Sequence, residues 1–190
     1  MNQNSYVDTL PSMKTYQWIC WVLFFISLPL RLYTNWFVFA ALVFGLVKRH
    51  GLPKFNKEFL QKMMFDENLQ ALPYLAIVAV VGEANMLLYM PLILHGYLEV
   101  SPIFKEILDR KPNALIISKD FVKSYVLRGV SHKAEYVELK SDIEVYIGIY
   151  LIVVWFIGWS SFLSILMYWQ IMRLRYMIST HIQMAFKRID

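Results

Sequence analysis

Residues 28–35 read Leu28-Pro29-Leu30-Arg31-Leu32-Tyr33-Thr34-Asn35: a helix breaker, a charge and an amide in the middle of an otherwise apolar block. Proline lacks the backbone donor and clashes with the preceding turn, so a helix entering this stretch stops or kinks. The block around it runs from Thr15 to Val47, with Arg31 as its single charged residue. One transmembrane helix takes about 20 residues, within roughly 17 to 25. The block exceeds one span and falls short of two spans plus a turn. A central break in a block of that length favours a compressed hairpin of two short helices over one tilted helix.

The pattern recurs. Asn68 to Leu98 carries only the charge of Glu83, within a comparable break at Gly82-Glu83-Ala84-Asn85. Val145 to Met172 carries no charge. Its punctuation is weaker, Gly148 and Gly158-Trp159-Ser160-Ser161 without proline, and its lack of charge suits a single transmembrane helix over 145–172. The first two blocks are therefore expected to be hairpins and the third one span.

Composition agrees with a membrane setting. Of 190 residues, 58% are apolar, 16% aromatic and 17% charged, with mean hydropathy +0.44. Soluble domains carry about a quarter charged residues, so one soluble globular domain is excluded, and disorder needs the opposite composition. A single cysteine, Cys20, excludes an internal disulfide and a Cys-based zinc site. The net charge of +5 suits an anionic membrane surface better than nucleic acid. The start, Met1-Asn2-Gln3-Asn4-Ser5, has no basic n-region, and no cleavage site follows the first block.

Basic residues flank the blocks. Lys14 precedes the first, Lys48, Arg49, Lys54, Lys57 and Lys62 follow it, and the 99–142 connector holds eight more. Two hairpins bring all of these to one side, which the positive-inside rule assigns to the cytosol. A third hairpin would add Arg173, Arg175, Lys187 and Arg188, leaving Arg31 alone opposite.

The polar segments read as interfacial helices. Over 54–67, Asn56 is a candidate N-cap, and Phe55, Phe59, Leu60, Met63 and Met64 recur at helical spacing against Lys57, Glu58, Gln61 and Lys62. The tail, 173–190, steps through Leu174, Ile178, Ile182, Ala185 and Ile189, with Arg173, Arg175, Lys187 and Arg188 elsewhere on the helix. The first stripe fits the headgroup plane or packing against the chain's own spans, and the tail stripe fits lipid or a docked partner. The connector 99–142 reads as at least two short helices, broken near Lys111-Pro112-Asn113 and Arg128-Gly129.

Chemistry is sparse. His50, His95, His132 and His181 form no pair at ligand spacing, and there is no phosphate loop, nucleophile elbow or HExxH. No catalytic, cofactor or metal residue is expected. Arg31, Glu83 and Asn85 are the intramembrane polar candidates. An ionisable group at depth is costly and functional by default, so Glu83 with Asn85 opens a small-transporter reading, against hairpin turns that reach water or headgroups.

Leu52-Pro53-Lys54-Phe55, Phe59-Leu60, Asp66-Glu67, Tyr74, Pro91, His95 and Ile107-Leu108-Asp109, resumed by Tyr168-Trp169-Gln170-Ile171-Met172-Arg173-Leu174-Arg175-Tyr176, resemble the eukaryotic transmembrane protein 33 family. That family includes the Krüppel homologue 2 proteins and the yeast pore-membrane proteins. The resemblance covers about 52–109 and 168–186, and departs after Tyr176, where the family's Asn-Pro turn is absent. It implies a non-enzymatic, multi-pass protein of the endoplasmic reticulum and nuclear envelope. Its implied partners are reticulon-like or pore proteins, and it implies a membrane-binding amphipathic C-terminal region.

The sequence thus leads to an all-α, multi-pass integral membrane protein of short hairpins and interfacial helices, acting as a membrane-shaping or scaffolding protein on the lipid bilayer and other integral membrane proteins, without cofactor or nucleic acid. Two other readings stay open: an accessory subunit of a large membrane complex, such as a mitochondrial respiratory assembly in the inner membrane, and a transporter using Glu83.

Overall fold

A computed structural model describes residues 10–29, 33–52, 56–81, 86–110, 119–158 and 161–189. Arg31, Phe55, Glu83 and Asn85 lie outside them. The described residues are helical, with no strand among them.

The first block is two helices, α1 (Leu10–Ser27) and α2 (Thr34–His50). α1 stops just before Leu28-Pro29, and Thr34 Oγ1 donates to the Ser27 carbonyl at 3.3 Å across the turn. Their far ends meet as well, because Lys48 Nζ donates to Gln17 Oε1 at 3.2 Å. The helices therefore run antiparallel from Gln17 to Ser27 of α1.

α3 (Lys57–Met64) follows, and Asn56 Oδ1 accepts from the Phe59 N–H at 2.8 Å, the N-cap that its side chain suggested. The second block supplies α4 (Glu67–Val81), then a 3-10 turn at Met86–Tyr89 that leads into α5 (Met90–Arg110). Asp66 caps α4 by accepting from the Asn68 N–H at 2.8 Å. The Tyr74 hydroxyl, midway along α4, donates to the Leu88 carbonyl at 2.6 Å and fastens the returning strand of chain. α6 (Lys119–Ser131) packs on α5, and α7 (Lys133–Phe156), α8 (Phe162–Ile178) and α9 (Thr180–Ile189) complete the chain.

Two local expectations are corrected here. The third block is divided: α7 ends at Phe156, Gly158 takes φ 84°, and Ser161 caps α8 by accepting from the Ser164 N–H at 3.2 Å. A left-handed glycine and a serine cap stop a helix without proline or charge. Gly129 is no break either; it lies inside α6, where an added Cβ would sit 2.6 Å from the Tyr97 hydroxyl and the Ser101 Oγ. The missing side chain lets α6 lie close against α5.

The core runs between the hairpins through Trp21, Phe24, Leu42, Val78, Leu92, Leu151 and Tyr168. At the far turns the chain instead exposes large apolar side chains. Val80 is 76% exposed and Phe156 77%, with Trp36, Ile157, Phe162 and Leu163 also open. Contiguous apolar surface of this kind marks a contact with lipid or protein. Among the described residues, one helical stretch, Met86–Asp109, is long and apolar enough by itself to cross a membrane. α7 is as long but carries charged residues through its first half, and the remaining helices are shorter.

Candidate functional site

At the end of the bundle opposite those turns, polar side chains from α1, α2, α4, α5, α7 and α8 meet in one buried layer. Each sits where an apolar block begins or ends, so pairing the helices as hairpins brings the block borders to a common level. Asn68, at the start of α4, is fully buried, as are His95 on α5 and Glu144 on α7. Lys140, one turn before Glu144, and Arg175 near the end of α8 are buried too.

Two sets of contacts make up the layer. In the first, Glu144 Oε2 lies 2.6 Å from Arg175 Nη1. The Tyr168 hydroxyl donates to the Glu144 carbonyl, and its ring meets that of Tyr74 edge-on at 6.0 Å. Lys140 Nζ reaches Glu67 Oε2 at 3.4 Å and His95 Nδ1 at 3.2 Å, while His95 Nε2 meets Asn68 Oδ1 at 2.8 Å. With the amide oxygen accepting, His95 donates from Nε2 and its Nδ1 lone pair accepts from the ammonium. Between these groups lies a cavity of about 10 Å³ lined by Tyr74, His95, Lys140, Glu144 and Arg175, the size of one water.

The second set faces α1 and α2. Arg49 bridges Asp66, at 3.3 Å, and Glu99. His50 Nε2 lies 2.9 Å from Asp66, and Gln17 Nε2 donates to Glu99 at 3.0 Å. The charge balance sets the titration of the groups at this level. Lys140 beside Glu67 holds its carboxyl below the ordinary value, against the opposing effect of burial. Burial alone would lower the Arg175 pKa, but Glu144 outweighs it and raises it. Arg49 behaves alike, burial opposed and exceeded by Glu99 and Asp66. Burial lowers the Lys48 pKa, with Glu99 opposing.

Such an arrangement ties helices together; it holds no nucleophile–base pair, and no group of three or more His, Cys, Asp or Glu among the described residues is set to bind a metal. Removing one partner of a buried pair costs about 3–5 kcal/mol, so the layer fixes the hairpins relative to one another.

The interface candidates divide. On α3, Met64 is exposed with Leu60 and Phe65, whereas Phe59 and Met63 are half-buried and Phe59 stacks edge-on against His50. In the tail, Arg173 and Lys187 are exposed and Ile178 is half-buried. Arg188 pairs with Asp142 at 2.5 Å and with Glu138 at 3.7 Å. Arg175 and Ile182 are corrections. Arg175 is the buried partner of Glu144 instead of an interfacial charge, and Ile182, with Ala185, is fully buried in the core, α9 packing on α7 and α8. Periodicity marked both correctly as one face of a helix but not what that face meets. Sequence reasoning missed the layer itself, whose only signal is that opposite charges recur at block borders.

A helical bundle with exposed apolar turns at one end and an ionic layer at the other defines an all-α protein, with no metal-binding cluster among its described residues. The family model described as Transmembrane protein 33/Nucleoporin POM33 matches residues 9–190, nearly the whole chain, and the chain belongs to that family. It is thus a member of a membrane-protein family, over a wider stretch than the two segments that carried the resemblance. No curated protein and no solved structure matches it.

Proposed function

We propose that this protein is a non-enzymatic, integral membrane-shaping scaffold of the endoplasmic reticulum and nuclear envelope, embedded chiefly through short helical hairpins. One observation carries the reading: apart from Met86–Asp109, which is long enough by itself to cross a membrane, the apolar legs beside the turns are short. From Thr15–Ser27 to Phe162–Met172 they rise about 16–21 Å at 1.5 Å per residue, against about 30 Å of hydrocarbon. A hairpin of that depth with its base at the headgroups displaces one leaflet more than the other. The base is where the ionic layer lies, and the turns carry the exposed apolar residues that hydrocarbon would cover.

The in-plane elements add to the wedge. α3 presents Leu60, Met64 and Phe65 beside Lys57 and Lys62 at the level of the bases, a composition that suits the headgroup region. Other integral membrane proteins, the reticulon-like and pore proteins that the family resemblance implies, are the partners such a scaffold would gather.

The test is reconstitution of the full chain into liposomes, imaged by electron cryo-microscopy. Wild type is expected to yield narrow vesicles or tubules. Lengthening both legs of the third hairpin with leucines on either side of Gly158, to full span length, is expected to abolish the narrowing. Wild-type vesicles as wide as protein-free ones would overturn the wedge. Native electrophoresis in which the whole protein migrates with one large complex would move the assignment to an accessory subunit.

A further inference from the structure

A groove of about 480 Å³ opens between α8 and α9, with Trp169, Met172, Tyr176 and Phe186 forming an apolar floor and the exposed Arg173 and Lys187 beside it. Among the described residues no carboxylate lines it. Among the described residues neither cation has an ion-pair partner, whereas the neighbouring Arg175 and Arg188 are committed to Glu144 and to Asp142 and Glu138. The groove is therefore electropositive at one end and apolar along its length. The buried Trp169 indole N–H has no acceptor among the described residues.

Position along the helix gives this pairing its meaning. Arg173 is the first residue past the third apolar block, and Trp169 stands about one turn deeper on α8. Charge at headgroup level above an aromatic trough is the layout of a phospholipid itself. Two cations without a counter-ion favour a headgroup with net negative charge over a zwitterionic one.

We infer that the α8–α9 groove seats one anionic glycerophospholipid, its phosphate held by Arg173 and Lys187 and one acyl chain laid along Trp169, Met172 and Phe186. The inference rests on the membrane-embedded reading above, which sets Arg173 at the headgroups.

For the test, the full chain is incorporated into phosphatidylcholine nanodiscs doped with phosphatidylserine and then released, and native mass spectrometry counts its retained lipids. One phosphatidylserine per chain is expected, enriched over its bulk fraction by about tenfold to thirtyfold. Arg173→Ser with Lys187→Ser is expected to bring retention down to the bulk fraction. Arg128→Ser with Lys133→Ser, which removes the same charge from exposed positions where α6 meets α7, is expected to leave it as in wild type. No enrichment in wild type, or equal loss in both double variants, overturns the site while leaving the embedded reading intact. A chain that does not enter nanodiscs overturns both. If the tail variant does not fold, phosphatidylserine with brominated acyl chains decides: it should quench wild-type fluorescence more than that of Trp169→Phe, and equal fractional quenching refutes the acyl placement.

Discussion

Arg175→Met removes one half of the most buried ion pair in the protein. The Glu144 and Arg175 side chains are 2% and 9% exposed and 2.6 Å apart. With the guanidinium gone, a carboxylate stays among Tyr74, Tyr168 and core aliphatics with no counter-charge of its own. An uncompensated buried charge costs about 3–5 kcal/mol. For a chain of this size each kcal/mol moves the melting temperature by about 2–4 °C, so a fall of about 6–20 °C is expected. Lys140 lies one helical turn from Glu144 and offers partial relief, but it already serves Glu67 and His95, which places the outcome toward the lower part of that range. Glu144→Leu should cost a similar amount by stranding the guanidinium; the Tyr168 hydroxyl bonds the Glu144 backbone carbonyl and is untouched. The double variant Glu144→Leu, Arg175→Met puts two apolar side chains of similar volume in place of the pair, and is expected to melt near or above wild type. Thermal unfolding of the detergent-purified full chain, followed by circular dichroism, measures all four corners of the cycle. Single variants within 2 °C of wild type, or a double variant that loses the sum of the two, would refute the ionic layer as the tie between α7 and α8.

Three further outcomes are expected. Gly158→Ala should cost about 1–2 kcal/mol, because φ 84° is strained for a residue with a Cβ and nothing within 4 Å adds a clash; a melting temperature equal to wild type would show that the α7–α8 turn relaxes freely. Gly129→Val drives a side chain into the Tyr97 hydroxyl and Ser101 Oγ, with an overpacking cost of about 1–3 kcal/mol; faster proteolysis within α6 should report its release from α5, and unchanged cleavage would count against the close contact. Glu67 contributes stability that is present above its unfolded pKa, about 4.5, and lost as pH falls through the depressed folded value. The melting temperature of wild type should therefore drop below about pH 4.5 more steeply than that of Glu67→Gln, and parallel curves would remove Lys140–Glu67 from the account.

How much of this was legible in the sequence depended on whether the signal was local. Proline after Leu28 stops α1, and Asn56 caps α3, each by an interaction within a few residues. The third block misled because its stop signal is conformational: Gly158 in the left-handed region and Ser161 as a cap carry less weight in a sequence than a proline or a charge. The ionic layer was not legible, since Gln17, Asn68, His95, Lys140 and Arg175 are brought together only by pairing six helices. Arg175 illustrates the limit. Beside Arg173 it reads as one more interfacial cation, yet two residues around the helix turn one toward Glu144 and the other toward solvent.

The tail poses the sharpest conflict between an amphipathic pattern and its use. An interfacial helix must present its apolar stripe to lipid, but Ile182 and Ala185 have no exposed surface, and Phe186 packs against Trp169 and Tyr176. Fully burying one Ile or Phe side chain stabilises by about 1.5–3 kcal/mol. Swinging α9 away onto the membrane surface exposes Ile182 and Phe186, in addition to breaking Arg188 from Asp142 and Glu138. Lipid re-covers the apolar part only if the helix reinserts with the same face down, and then α7 is left uncovered where α9 had packed. On the proposed embedding, the docked state is the one in which α9 would meet the bilayer, through the face that the core leaves free. That face holds Met184 and Lys187, and Lys187 with Arg173 of α8 borders the groove. On that proposal, a helix held on one side by its own fold and on the other by lipid would couple headgroup contact to the packing of α7 and α8.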